Sequence, residues 1–145
     1  MKTYRKGIFC VTYYLEKNKP KYLILHRKLH WKGWEFPKGG LENGNEKKEV
    51  ERELKEETGL KILKLKNHKI TGKYKYKKEL HDRKNIIGQT YSLYSAEVEK
   101  KEIKLDCLEH DKFKWVDFKT ALKFLTWPNQ RKCLRVVDGW LKQKS

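Results

Sequence analysis

The sequence has few cysteines, a low apolar content and no long apolar run, and each shortage limits what the chain can be. The three cysteines, Cys10, Cys107 and Cys133, are odd in number and lack CxxC-type spacing. That pattern argues against a disulfide framework or a zinc site and favours a reducing, cytoplasmic location. No segment reaches the roughly 18 apolar residues that a transmembrane helix requires, so no membrane partner is expected. The N-terminal stretch is basic and then apolar, but its short, tyrosine-rich run favours a first strand over a signal peptide.

Aromatic residues and lysines are what the chain has in excess. The apolar content is only 37%, but five Trp, eight Tyr and five Phe can supply a core. With 145 residues and no internal repeat or low-complexity linker, a single domain over 1–145 is expected. The net charge of +17 comes from thirty Lys and only six Arg. This excess favours polyanionic partners such as nucleotides or RNA, and lysine enrichment from genome composition or high growth temperature is the alternative.

The order of the predicted elements indicates a mixed β-sheet with helices on both faces. Strands are predicted at 6–15, 21–28, 72–77, 89–98 and 112–118, and helices at 46–58, 118–125 and 127–143. Asn45 is the expected N-cap of the first helix and Gly59 its expected stop. Asp117 is the expected cap of the second helix. Glycines and Pro37 predict a break in the chain through 31–40.

Seven of the nineteen carboxylates lie between Glu42 and Glu57. At about 100° per residue, five of them share one arc of about 100° on the predicted helix. These five are Glu46, Glu49, Glu53, Glu56 and Glu57. Like charges at this spacing repel, and partial burial would raise some of their pKa values. Two interpretations stay open: a solvated acidic face relieved by nearby lysines, or a site for a divalent cation that prefers oxygen ligands.

The segment "RELKEETGL" (52–60) is similar to the second half of the Nudix hydrolase signature. That signature is a glycine-containing loop followed by a helix with Arg-Glu-Leu-x-Glu-Glu-x-Gly-Leu. The upstream segment "WEFPKGG" (34–40) also matches the usual approach to the loop. Between the glycine pair and Arg52 the chain is about one residue short of the pattern, and Asn45 stands where Gly-Glu is expected. Glu46 is a candidate substitute for the missing carboxylate.

The resemblance implies a fold of the α/β class, a Nudix-type α/β/α sandwich with a mixed β-sheet. It also implies Mg²⁺-dependent hydrolysis of a nucleoside diphosphate linked to another group, with Mn²⁺ as a substitute metal. The implied metal ligands are Glu53, Glu56 and Glu57, with Glu53 and Glu57 also catalytic. Arg52 would assist catalysis by orienting a glutamate through ion pairing. Gly39 and Gly40 would bring the backbone close to metal or phosphate.

A second segment, "EHDKFKWVDF" (109–118), is similar to one in Nudix enzymes that cleave bis(5′-nucleosyl) tetraphosphates. In those enzymes the Glu faces the signature helix and contributes to metal binding or base catalysis. Glu109 is therefore the candidate for that role, and an ordinary loop acid is the alternative. His110 either contacts phosphate or packs in the interior.

Three further residues are candidates for contacts with the substrate. Lys38, in the "PKG" typical of the same subgroup, would meet a phosphate. Tyr74 and Tyr76 alternate with lysines at strand spacing, so they share one face of a strand. They either stack on a base or form only the inner face of that strand.

Four functions stay open from the sequence. Hydrolysis of dinucleoside polyphosphates such as diadenosine tetraphosphate is preferred, and the partner is then a nucleotide with several phosphates. Removal of the 5′-triphosphate or cap of RNA would also suit the charge of +17. Cleavage of ADP-ribose or nucleoside triphosphates is the third. An RNA-binding Nudix module without catalysis is disfavoured, because such a module is expected to lose the glutamates that this chain keeps.

Overall fold

The computed structural model describes residues 2–41, 45–77, 80, 82, 84–106 and 108–144. These residues form seven strands and three helices. The strands are β1 (Thr3–Glu16), β2 (Lys19–Arg27), β3 (Gly33–Glu35), β4 (Lys38–Gly40), β5 (Ile62–Lys75), β6 (Ile86–Val98) and β7 (His110–Val116), and the helices are α1 (Glu46–Thr58), α2 (Phe118–Phe124) and α3 (Pro128–Lys144). Cys107 and the signature lead-in at 42–44, which includes Glu42, lie outside the described residues. No helix in the described ranges is long and apolar enough to cross a membrane.

The seven described strands form one mixed sheet, as the order of elements predicts. Along the sheet the strands follow the order β3-β2-β1-β6-β5, and β4 pairs with β1 while β7 pairs with β2. β1 runs parallel to β6 and antiparallel to β2 and β4. The central strand β1 therefore places β4 and β6, which are far apart in the sequence, beside one strand.

Helices cover both faces of the sheet because neighbouring residues of β1 point to opposite sides. Ile8 packs into a buried cluster with Leu54 of α1. Phe9 packs into a second cluster with Leu134 and Val137 of α3. The predicted α/β/α sandwich is thus confirmed, with α1 on one face and α2 and α3 on the other.

The helix boundaries follow the predicted caps closely. The Asn45 side chain accepts a hydrogen bond from the Lys48 amide, and Gly59 ends α1 with a left-handed φ of 78°. The Asp117 side chain likewise accepts from the Thr120 amide at the start of α2. These caps satisfy backbone groups that the helix itself cannot pair, so the short polar residue before each helix fixes where it begins.

The break predicted through 31–40 is wrong in part. The three-residue strands β3 and β4 lie within it, because β3 pairs with β2 and β4 pairs with β1. Pro37 stands between the two short strands, and its carbonyl accepts a hydrogen bond from the Cys10 amide. This region is therefore fastened to the central strands, which matters because Lys38, Gly39 and Gly40 belong to it.

Strand β5 is longer than predicted and forms an edge of the described sheet. It starts at Ile62 rather than at 72, so Gly72 lies inside the strand instead of marking its start. A Cβ at Gly72 would overlap the Tyr91 ring, so packing rather than a turn requires glycine there. The pairing of β5 with β6 shifts register between Asn67 and Thr71, and Lys69 in that interval has a left-handed φ of 55°.

Candidate active site

Two adjoining cavities bring together most of the residues predicted for the site. One is acidic, has a volume of about 200 Å³ and lies between β4, α1 and the loop before β7. The other is mainly aromatic and has a volume of about 560 Å³. Lys38 lines both cavities, so a ligand that fills both would pass this residue.

The carboxylates of α1 differ strongly in exposure. Glu57 is only 3% exposed and Glu49 is also buried, while the Glu56 side chain is 57% exposed. Glu53 and Glu57 both line the acidic cavity together with Glu56. A uniformly solvated acidic face is therefore excluded, because two carboxylates on the predicted arc are out of water.

Arg52, rather than a lysine, forms the described ion pairs with this helix face. Its guanidinium donates to the carboxylates of Glu49, Glu53 and Glu56, with an N–O distance of 2.9 Å to Glu53. The three contacts raise the pKa of Arg52 further above its ordinary value, the hydrogen bond to Glu49 most of all. The ion pairing expected of Arg52 is thus present, and Arg52 holds Glu53 at the cavity wall.

The surroundings of the acidic cavity raise the pKa values of Glu53 and Glu57. Burial raises the pKa of Glu53 to about 7, with Arg52 opposing and Glu56 and Glu109 adding to the rise. Burial also raises the pKa of Glu57 well above its ordinary value, and the charges of Glu109, Glu35 and Glu53 raise it further. Charge concentrated in this way is unfavourable unless a cation shares the space.

The glycine pair of β4 allows the backbone to pass close to charged side chains. A Cβ at Gly39 would overlap the carboxyl group of Glu53, and a Cβ at Gly40 would overlap the guanidinium of Arg5. Both requirements are for space, since neither glycine has a positive φ. The Gly39 and Gly40 backbone therefore forms one wall of the acidic cavity.

Glu109 reaches the same cavity from the loop before β7. Its carbonyl accepts a hydrogen bond from the Lys28 amide, which ties the loop to the end of β2. Its carboxylate is 3.9 Å from the Arg27 guanidinium and partly exposed at the cavity. The structure thus brings together Glu53, Glu57 and Glu109 from distant parts of the chain.

Of the two alternatives for His110, packing in the interior is the one that the structure shows. His110 is fully buried, and its Nε2 is 2.9 Å from a carboxylate oxygen of Glu35. Arg27 at 3.1 Å and Lys38 at 3.4 Å also pair with this carboxylate. Burial alone would raise the pKa of Glu35, but Lys38, His110 and Arg27 together lower it to about 2. Since Glu35 is ionised and can only accept, Nε2 must be the donor.

Tyr74 and Tyr76 line the aromatic cavity, which is the position that base stacking would need. The Trp31 ring lies 6.4 Å from the Tyr76 ring, centroid to centroid. Lys38 Nζ is 4.5 Å from the centroid of the Trp31 ring and 3.5 Å from the Tyr74 hydroxyl. The cavity therefore offers flat rings with a cation at its border with the acidic cavity.

Glu46 does not line the acidic cavity. Its two carboxylate oxygens accept hydrogen bonds from Ser92 at 3.1 Å and from Tyr94 at 2.8 Å. These contacts direct it toward β6, so the shortened lead-in leaves Glu46 as a support between helix and sheet.

A divalent cation fits the acidic cavity by its donor chemistry. Glu57 Oε2 is buried and has no hydrogen-bond partner among the described residues. A buried acceptor of this kind is unfavourable unless a donor or a cation reaches it. As the side chains stand, no three His, Cys, Asp or Glu groups of the described ranges are arranged to hold a metal ion. Because Glu53 and Glu56 pair with Arg52, convergence of the carboxylates on a cation requires side-chain rotations.

Several residues of the cavities carry no signal in the sequence. Arg5, Arg27, Gln89 and Asp106 line the acidic cavity, and Trp31 lines the aromatic one. Arg27 is buried at the end of an apolar strand, and a charged residue at such a position is the one local hint of a role. Sheet pairing, not sequence spacing, brings Arg5 and Gln89 opposite each other.

Comparisons with known proteins agree on one fold. The model of the NUDIX domain family matches residues 3–137. A C. elegans Ap4A hydrolase in a binary complex superposes with a TM-score of 0.77 at 22% identity, covering 96% of this chain and 98% of that one. The NUDIX domain of Shewanella oneidensis NrtR complexed with ADP ribose superposes with a TM-score of 0.78 at 14% identity, covering 97% of this chain and 90% of that one.

The E. coli dihydroneopterin triphosphate pyrophosphohydrolase gives a TM-score of 0.72 at 21% identity, with 92% of this chain and 96% of that one covered. No curated protein matches the chain significantly. At such identities the structural neighbours show the fold alone, and the match of the family model covers most of the chain.

Proposed function

The chain belongs to the Nudix family and is a hydrolase, and from that premise we propose that it cleaves dinucleoside polyphosphates such as diadenosine tetraphosphate. The observation that carries the proposal is the pair of adjoining cavities, one aromatic and one acidic, with Lys38 in the wall of both. An aromatic cavity takes a base by stacking, and the acidic one takes phosphates with a divalent cation. The substrate is then a nucleoside joined to a phosphate chain.

Members of this family generally use divalent cations, and Mg²⁺ is the proposed one, with Mn²⁺ as a substitute. Glu53, Glu56, Glu57 and Glu109 would hold it, together with the backbone at Gly39. When bound, the ion neutralises charge on the phosphate oxygens and lowers the pKa of the attacking water. The unsatisfied, buried Glu57 Oε2 supports this assignment, because carboxylate oxygens are the ligands that Mg²⁺ prefers.

The remaining chemistry falls to side chains of this chain. Water attacks phosphorus, the bond to the leaving phosphate oxygen breaks, and a glutamate takes the proton of the water. Glu109 is the proposed base, because its carboxylate is partly exposed at the cavity while Glu57 is buried. Arg52 keeps Glu53 in position through a direct ion pair. Lys38 balances negative charge on phosphates at the border of the two cavities.

The nucleoside is proposed to bind between Tyr74, Tyr76 and Trp31. Base stacking on such rings is worth about 1–3 kcal/mol per base and tolerates different bases. The reducing, cytoplasmic location expected for such an enzyme is in keeping with the described cysteines Cys10 and Cys133, which are free and buried.

Product analysis is the direct test of the proposal. Purified protein with Mg²⁺ is given diadenosine tetraphosphate, ADP-ribose, deoxynucleoside triphosphates and 5′-triphosphorylated RNA. Release of ATP and AMP from the first, at the highest kcat/KM, is the expected result. A higher kcat/KM for ADP-ribose or nucleoside triphosphates would contradict the choice of substrate.

The role of the acidic helix is tested with Glu57→Gln. Because a ligand should matter at least as much as its supporting contacts, turnover with Mg²⁺ should fall by at least about 100-fold. Glu51→Gln is the matched control, since Glu51 is exposed on the same helix and lies outside the acidic cavity. Thermal unfolding checks that both variants fold. Turnover of Glu57→Gln close to that of the control would contradict the assignment.

RNA with a 5′-triphosphate is the second candidate substrate, and the charge of +17 favours it. A long polyanion is attracted by dispersed lysines in a way that a small nucleotide is not, so its binding weakens steeply with salt. A higher kcat/KM for RNA in the same panel, lost between low and moderate salt, would favour this candidate over the first.

A further inference from the structure

Arg5 lies at the acidic cavity although no motif includes it. It belongs to β1, where it is half-buried and opposite Gln89 of β6. Its guanidinium atoms Nε, Cζ and Nη2 all occupy space that a Cβ of Gly40 would need. The flat group therefore rests against the Gly40 backbone, at the wall of the cavity that also contains Glu53 and Glu57.

The other cations of this cavity are already paired with carboxylates. Arg27 and Lys38 pair with Glu35, and Arg52 pairs with three glutamates of α1. In the described part of the chain, no carboxylate lies at ion-pairing distance from Arg5. An arginine at the wall of this cavity, with no ion pair to the described residues, is suited to bind an anion.

Along β4 the wall of the acidic cavity runs from Lys38 past Gly39, which lies against Glu53, to Gly40, which lies against Arg5. Lys38 stands on the side shared with the aromatic cavity, where the nucleoside is proposed to bind. Arg5 lines only the acidic cavity. A diphosphate that reaches from the nucleoside past Lys38 to the glutamates has no need of Arg5, whereas a longer phosphate chain continues beyond them.

We infer that Arg5 binds the phosphates that extend beyond the cleaved linkage, so that it selects substrates with three or more phosphates. The inference rests on the proposed function and names a residue that sets its preference. The planar guanidinium lies against the Gly40 backbone and can donate two parallel hydrogen bonds to a phosphate. Arg5 contacts substrate in this scheme, and the chemical step does not depend on it.

The test compares Arg5→Ala and Arg5→Lys on a long and a short phosphate chain with the same nucleoside. For diadenosine tetraphosphate, Arg5→Ala should raise KM about 10- to 100-fold while kcat stays within about threefold, and Arg5→Lys should fall between. For ADP-ribose, KM or the competitive inhibition constant should change by less than about twofold. Lys6→Ala is the control, because Lys6 is the next residue in the strand, is exposed, and its replacement removes the same charge.

Gly40→Ala supplies an independent arm. The new methyl group would displace the Arg5 side chain, so this variant should reproduce the KM effect of Arg5→Ala. In the double variant the two effects should not add, because both remove one contact. The inference would be overturned if the KM effects of Arg5→Ala and Gly40→Ala were fully additive. It would also be overturned if Arg5→Ala weakened the binding of diadenosine tetraphosphate and ADP-ribose equally, or changed the binding of neither.

Failure of the proposed function has a separate signature. If the wild type does not cleave diadenosine tetraphosphate, the substrate assignment falls whatever Arg5 does. ATP and AMP then serve as competitive inhibitors of the substrate that is cleaved. If Arg5→Ala weakens inhibition by ATP more than inhibition by AMP, the result still supports selection by Arg5 for longer phosphate chains. Equal weakening of inhibition by both nucleotides still overturns the inference.

Discussion

Replacing the buried Glu35 by Gln is expected to be among the most destabilising single changes in the chain. Glu35 is 1% exposed, and its carboxylate oxygens lie 3.1 Å from Arg27, 3.4 Å from Lys38 and 2.9 Å from His110 nitrogens. Gln has nearly the same shape, so it opens no cavity, but it removes the negative charge that these groups face. Removing one partner of a buried ion pair costs about 3–5 kcal/mol of unfolding free energy.

Urea unfolding at neutral pH measures this loss. With a slope of about 2 kcal/mol per M, a loss of about 4 kcal/mol moves the midpoint down by about 2 M. Glu99→Gln is the control, because Glu99 pairs with Lys101 in an exposed position and should cost less than about 1 kcal/mol. The double substitution Arg27→Met/Glu35→Gln should recover part of the loss, since it removes a buried charge left without its partner.

A loss of unfolding free energy below about 1 kcal/mol for Glu35→Gln would refute the reasoning, because exposed ion pairs cost no more than that when they are broken. Failure of the double substitution to recover stability would contradict the account in a second way. Because Glu35 pairs with Lys38 and with His110, the residue after Glu109, its replacement should also affect activity. Activity measured on the folded fraction separates that consequence from unfolding.

Two further predictions concern the base and the acid stability of the fold. Glu109→Gln should lower kcat by at least about 100-fold with little change in KM, since it removes the proposed base, and Asp111→Asn at the start of β7 should leave both unchanged; an unaltered kcat in Glu109→Gln would make it a bystander. Burial beside Trp140, with the charge of Lys66 adding, lowers the pKa of His68 to about 4, so the His68 side chain stays neutral in the folded chain at pH values where it gains a proton in the unfolded chain. Stability should therefore fall as pH drops from about 6.5 toward 4, as the urea midpoint would show, and His68→Gln should lack this part of the slope; an identical slope in both proteins would contradict the prediction.

Helix α1 is the part of the candidate site that sequence predicts best. Its caps, its apolar stripe and the spacing of its glutamates are all local, so Asn45, Gly59 and the arc of carboxylates follow from short-range rules. Which carboxylates are buried does not follow from them. Glu57 is buried at a cavity that β4 and Glu109 also line, and both come from elsewhere in the chain.

The residues that sequence reasoning misses are brought to the site by sheet pairing. Arg5 and Gln89 meet because β1 and β6 pair in parallel, with a register that no local pattern specifies. His110 shows the opposite limit. Its neighbour Glu109 belongs to the loop before β7 and lines the cavity, whereas His110 begins β7 and is buried against Glu35.

The long edge strand β5 bears on the risk of aggregation. An exposed strand of 14 residues offers unpaired amides and carbonyls to which another chain can add by backbone pairing. Five exposed lysines, Lys64, Lys66, Lys69, Lys73 and Lys75, stand along it. The register shift near Lys69 also interrupts a flat edge. Part of the lysine excess thus protects against aggregation, and replacing these lysines by apolar residues would open the edge to strand addition.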